Sequence, residues 1–298
     1  MAYPDLAGAV NWSTCNGGGA PAAGDTLYLN DTCVLTLDTS PCTCAAIKAA
    51  ASGSPTTYDQ NGYLAVPAAA TVVLNAATVQ AGTATMCSLV AGQTLTVNGT
   101  VIGGSGTSIR GILMTGGTVT VTNVIGGSGT SAHGIRTNSG APTVTVTGTA
   151  TGGPGAGTAT CGLYILSATS VSVTHVVGGG AAGCHGMYSA TIGASCTITS
   201  VTGGSHRSAH GMVCDQSSSS PTFTVTTAKG GSAAGAAAVV VLDGTVTITN
   251  VDNSGTGPAI GGGILKIARG NTLRYQDQNG ADYYFQQQIP RGGAMRGA

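Results

Sequence analysis

Six glycine pairs set a ruler along this chain, at Gly103-Gly104, Gly126-Gly127, Gly152-Gly153, Gly178-Gly179, Gly203-Gly204 and Gly230-Gly231. Successive pairs are 23, 26, 26, 25 and 27 residues apart. A fixed period of that length is the mark of a repeat architecture, in which one supersecondary unit stacks on copies of itself. An alternating segment recurs with the same period: Thr118–Thr122, Thr143–Thr147, Val171–Thr174, Cys196–Thr199, Phe223–Thr226 and Thr245–Thr249. Strict alternation with β-branched residues predicts strands buried on one side only. After each pair comes a second short segment with a bulky residue behind a glycine, as in Arg110-Gly111-Ile112, His133-Gly134-Ile135, Cys161-Gly162-Leu163, His185-Gly186-Met187 and His210-Gly211-Met212.

A unit of this size cannot bury an apolar face alone, whereas stacked coils can. The expected fold is therefore all-β: a single-stranded parallel β-helix of roughly 25-residue coils, right-handed by the general crossover preference. Val119, Val144, Val173, Ile198, Val225 and Ile248 are expected to line up as one interior ladder. Irregular N-terminal coils are expected over 1–90 and regular ones over 91–268, with a C-terminal β-hairpin or anchoring segment over 269–298. Val72–Leu74 and Leu95–Val97 already stand 23 residues apart. The run Ala45–Ala51 reads as a helical turn that caps the stack. If the coils run from about residue 25 to 268, about ten of them make a rod on the order of 50 Å long.

The composition narrows the classes of function. Only 7% of residues are charged, all ten acids are Asp, and the net charge is zero, so no basic field exists to attract nucleic acid or an anionic membrane. No apolar run is long enough for a transmembrane helix, and the opening MAYPDLAGAVNWSTC does not read as a signal peptide. Nine cysteines leave two readings open: small apolar core fillers, or disulfides formed outside the cell.

The segment Asn11-Trp12-Ser13 followed by Ala23-Gly24-Asp25-Thr26-Leu27-Tyr28-Leu29 resembles the opening coil of β-helical surface proteins of tailed bacteriophages and of adhesins. The resemblance covers most of the chain as architecture and implies a rigid rod or wedge displayed on a surface, without naming a substrate. After Ile267 the composition changes. Residues 269–298 hold four of the seven arginines and four of the eleven Tyr and Phe residues, and Asn279-Gly280 signals a hairpin tip. Such a segment suits a cap for the open end of the stack and also an assembly contact. The expected assembly residues are Tyr275, Tyr283, Tyr284, Phe285, Arg291 and Arg296.

Other constellations are weaker. His133, His185 and His210 hold equivalent places in their coils, but the first two are two coils apart, close to 10 Å, too far to share one ion. Satisfaction by stacking and backbone bonds is the expected state of these imidazoles, so no metal and no cofactor is expected. Asp215 and Asp243 fall at similar places in consecutive coils, a spacing a retaining glycosidase could use. Residues 91–262 contain only one further acid, Asp252, which is sparse for a catalytic groove. The repeated Thr-x-Thr segments, from Thr94–Thr96 to Thr247–Thr249, predict a two-column threonine array that resembles the ice-contacting face of β-solenoid antifreeze proteins. The Gly-Gly-Ser-Gly-Thr runs at Gly103–Thr107 and Gly126–Thr130 lack the Lys-Ser/Thr ending of a phosphate loop and read as turns.

These features together lead to the expectation of a non-enzymatic virion protein made in a host cytoplasm. The expected role is capsid decoration: a homotrimer that clamps the major capsid protein and projects outward, without nucleic-acid or membrane partners. Two alternatives stay open: a tail fibre or tailspike that binds or cleaves host glycan, and an ice-binding protein.

Overall fold

The computed structural model of the chain describes residues 6, 9–22, 25–29, 34–36, 42–43, 46–49, 57–60, 64–65, 71–74, 78–81, 85–155, 159–190, 195–215, 222–233, 235–243, 245–252, 265–267, 272–276 and 282–286. It is a parallel β-solenoid. Among the described residues the only helix is a single 3-10 turn, Trp12–Thr14. Long strands stack in one sheet: Thr94–Ile102, Thr118–Ile125, Thr143–Thr151, Ser170–Val177, Ser195–Thr202, Thr222–Lys229 and Thr245–Asp252. Short strands stack in a second sheet, through Cys87–Leu89, Ile112–Met114, Ile135–Thr137, Leu163–Ile165, Met187–Ser189, Met212–Asp215 and Val239–Asp243. Every pairing between successive coils in these two series is parallel.

Each long strand bends in the middle. Along Thr118–Ile125 the buried residues are Val119, Val121 and Val124. Val121 and Val124 are three apart, and a straight strand would point them to opposite sides. Both face the core, so the strand turns a corner between them, and each coil encloses the core with three strand faces. Two coils need an extra residue at this corner, where the register shifts. In the Thr143–Thr151 coil the extra residue is Gly148. A Cβ there would meet Thr122 O at 2.7 Å and Asn123 Oδ1 at 2.5 Å. Asn123 Oδ1 in turn accepts a hydrogen bond from Thr149 N at 2.8 Å, so the neighbouring coil holds the bulge in place.

The interior is filled by columns of apolar side chains one coil apart. Register places Leu95, Val119, Val144, Val171, Cys196, Phe223 and Val246 in one column. Val97, Val121, Val146, Val173, Ile198, Val225 and Ile248 form the next. The single ladder expected from the sequence thus joins members of two columns. Val119 and Val144 belong to the first, while Val173, Ile198, Val225 and Ile248 belong to the second. Both columns are apolar and stand two residues apart, so alternation alone cannot tell them apart; the interstrand bonds do.

The glycine pairs sit where the long strand ends, and close approach is what demands them. A Cβ on Gly103 would lie 2.7 Å from Ala132 O, Gly127 N and His133 O of the next coil. No side chain fits there without opening the stack. The conformational demand falls elsewhere, three residues before the glycine of the X-Gly-bulky segment. Ser108, Ser131 and Ala159 have φ of 59°, 53° and 64°, and Gly183 and Gly235 hold the same place in later coils with φ of 70° and 88°. A left-handed non-glycine residue is strained by roughly 1–2 kcal/mol. Ser131→Gly is therefore expected to raise stability by about 1 kcal/mol, read as a higher denaturant midpoint with an unchanged slope.

Two interior positions on the short strands are polar, Thr137 and Ser189. Thr137 is fully buried, and its Oγ1 accepts from Leu166 N at 3.1 Å and Ser167 N at 3.2 Å, tying the turn of the next coil to the core. Thr137→Val keeps the shape and takes the acceptor from Ser167 N, while Leu166 N keeps its bond to Thr137 O at 3.2 Å. It is expected to cost about 1–3 kcal/mol in equilibrium denaturation.

The ends differ from the middle. Residues Ala46–Ala49 form a strand parallel to Thr26–Leu29, not the helical turn expected over 45–51. Seven residues are too few to nucleate a helix in isolation, while a strand edge offers immediate backbone partners. The spacing of 23 holds: Val72 pairs with Leu95 and Leu74 with Val97. At the other end Thr272–Gln276 adds in parallel to Thr245–Asp252, then pairs antiparallel with Asp282–Gln286.

Candidate functional site

The richest chemistry lies beside the short-strand sheet. His133, Cys161, His185 and His210 each precede the glycine that opens a short strand, and so recur once per coil. Each imidazole Nδ1 accepts a backbone N–H from the following coil: Cys161 N to His133 at 3.2 Å, His210 N to His185 at 3.1 Å, and Ala237 N to His210 at 3.1 Å. An acceptor Nδ1 fixes the neutral tautomer with its proton on Nε2. The rings of His185 and His210 also stack, with centroids 5.3 Å apart and planes 6° apart. Burial is the main reason that the His133 pKa falls to about 3, with the charges of Arg136 and Arg110 adding to it. Burial, then the neighbouring His210, lowers His185 to about 4.

A second column runs along the outward side of the short strands, where Arg136, Tyr164, Tyr188 and Val213 are register partners. The His133 ring stacks on Tyr164 at 4.3 Å, Tyr164 stacks on Tyr188 at 4.9 Å, and the Arg136 guanidinium lies 5.4 Å from the centre of the Tyr164 ring. Tyr188 donates its hydroxyl to Asp215 Oδ2 at 2.6 Å. Burial and this carboxylate push the Tyr188 phenol well above its ordinary range. The column went unread in the sequence, although a signal is there: Arg136, Tyr164 and Tyr188 each stand three residues after His133, Cys161 and His185.

The other expected residues are placed as follows. Asp215 and Asp243 are register partners in adjacent coils. The Asp215 carboxylate is committed to Tyr188, and the side chain of Asp243 lies outside the described residues. The two Gly-Gly-Ser-Gly-Thr runs close on themselves as turns, with Gly104 N bonded to Ile109 O at 3.0 Å and Gly127 N to Ala132 O at 2.6 Å. In the C-terminal hairpin Tyr275 pairs with Tyr283, Arg274 with Tyr284 and Leu273 with Phe285 through the backbone. The side chains of Tyr275, Tyr283, Tyr284 and Phe285, and all of Arg291 and Arg296, lie outside the described residues. Cys15, Cys87, Cys161, Cys184, Cys196 and Cys214 are buried free thiols. Burial raises Cys87 to about 12 and Cys161, Cys196 and Cys214 further, which leaves them protonated and inert at neutral pH.

The threonine array is present with a different registry. Thr96, Thr120, Thr145, Ser172, Thr197, Thr224 and Thr247 form one outward column, and Thr94, Thr118, Thr143, Ser170 and Ser195 lead a second beside it. The expected pairs beginning at Thr120, Thr145, Thr197, Thr224 and Thr247 therefore start one column further along than Thr94-Leu95-Thr96. Their last members lie at the strand corner, where Thr147 and Thr174 hydroxyls donate to carbonyls of the preceding coil. In the two flat columns none of the described hydroxyls is hydrogen-bonded within the chain. Compared with protein-family models, with curated proteins and with solved structures, the chain matches none.

Proposed function

We propose that this chain is a structural protein of a tailed-phage virion that decorates the capsid as a rigid spike. The observation that carries this reading is the unbroken stack. Long and short strands bond coil to coil through the regular region, over columns of fully buried apolar side chains. A body built this way resists bending and local opening, because each coil is held on both faces by its neighbours. In this reading the 269–298 segment clamps the major capsid protein, with Tyr275, Tyr283, Tyr284, Phe285, Arg291 and Arg296 as contacts, and three copies form the spike. Immunogold labelling of purified particles tests it. Label on the capsid supports decoration, label on the tail supports the fibre alternative, and particles without label overturn both. Removing 269–298 is expected to abolish labelling while leaving the β-sheet circular dichroism intact.

A second reading rests on the threonine face. Parallel strands repeat at about 4.8 Å, and alternate residues in a strand stand about 6.6 Å apart, so the unpartnered hydroxyls form a regular flat grid. Such a grid suits an ordered layer of water and hence an ice surface. Thermal hysteresis by the purified protein, lost in Thr120→Tyr and Thr145→Tyr, is its expected signature. Freezing behaviour equal to that of an ordinary protein solution would exclude it.

A further inference from the structure

We propose that Arg110 and Arg136 form a binding site for a phosphate- or sulfate-type oxyanion, either free or carried as an ester. The two arginines come from adjacent coils and flank His133. Gly111 N, next to Arg110, bonds to His133 O at 3.0 Å, and Arg136 follows His133 by three residues on the strand that it opens. Two guanidiniums in proximity repel each other, and proteins ordinarily offset such a pair with carboxylates. None is supplied here: among the described residues the only ion pair is Lys229–Asp252. Asp215, further along the same flank, is already bonded to Tyr188.

The second observation is an unmet donor. Arg110 Nε is buried without a hydrogen-bond partner, the only such side-chain atom among the described residues. A buried donor on a cation is expensive to leave unpaired, so a small turn of the half-buried Arg110 side chain that brings this donor to an anion's oxygen is favoured. Arg136 is oriented for the same ligand. Its Nε donates to Asn138 Oδ1 at 2.7 Å and its guanidinium lies over Tyr164, so its NH groups are the donors left for a ligand. The Tyr164 hydroxyl, which has no partner within the chain, adds a neutral donor beside them. A planar fork of N–H donors matches the oxygens of phosphate or sulfate bidentately. His133 contributes no charge, since its Nδ1 is held as an acceptor and its pKa is low. The site's affinity is therefore expected to stay level across the neutral range apart from the titration of the anion itself.

The test is a titration of the full-length protein, observed through its arginine Nε–H resonances by ¹⁵N NMR at constant ionic strength. Sodium phosphate, sodium sulfate and glucose 6-phosphate are added in turn against a chloride background. The Arg110 and Arg136 signals are expected to move saturably, while exposed Arg207 stays put. Arg110→Gln and Arg136→Gln are each expected to weaken binding at least about tenfold, the scale of one charge-assisted hydrogen bond. Tighter binding of the sugar phosphate than of the inorganic ions assigns the site to an ester; the reverse assigns it to a free anion. Absence of saturable shifts in the unaltered protein, or an equal response at Arg207, overturns the proposal. The wild-type readout stands even if a variant fails to fold.

Discussion

Acidification from pH 7 to pH 4 is expected to remove about 3 kcal/mol of stability for each of His133 and His185. The folded pKa values, about 3 and about 4, lie below the free imidazole value of 6.5. Above pH 6.5 both imidazoles are neutral in the folded and the unfolded chain, and stability is complete. Below it the unfolded chain takes up protons that the folded chain refuses, so the unfolded state gains. The loss grows until the pH reaches the folded values, where the native imidazoles also protonate and surrender their Nδ1 bonds to the next coil. Urea denaturation at pH 7, 5.5 and 4 checks this. His133→Asn keeps an acceptor near the Nδ1 position without titrating, and is expected to remove about half of the pH dependence. Equal midpoints at pH 7 and pH 4 would show that these imidazoles are not held neutral by the fold.

Phe223→Ala is expected to cost about 3–5 kcal/mol, the range for emptying a buried aromatic site. Phe223 is fully buried and is the bulkiest member of its column, between Cys196 and Val246. Its neighbours cannot move in to fill the space, because their coils are fixed by strand bonds above and below. The cavity therefore persists instead of collapsing, which places the cost toward the upper end. Calorimetry or urea titration reads it directly. A loss below about 1 kcal/mol would mean that the stack yields locally, contrary to the rigidity on which the proposed spike depends.

How far the sequence could be read depended on which signal repeats. The coil length, the alternating long strands and the short strand after each X-Gly-bulky segment are all periodic, and each was legible. The imidazole contacts were legible in kind, because His133, His185 and His210 recur at one place in the coil. The Arg136–Tyr164–Tyr188 column was not, because its members differ in chemistry from coil to coil and only their common offset from the glycine unites them. The unpartnered Nε of Arg110 could not be read at all, since donor satisfaction depends on neighbours 25 residues away in the chain.

By itself, then, the order of amino acids determined that this protein is a stack of coils with a β-branched interior and a glycine pair once per coil. Those are consequences of local alternation and of a period that any copy of the unit must respect. Only the tertiary structure decided which valine lies over which, where the strand turns its corner, and which hydroxyl column faces water. The physical reason is that parallel register is set by hydrogen bonds between coils, and sliding by two residues leaves the apolar pattern unchanged.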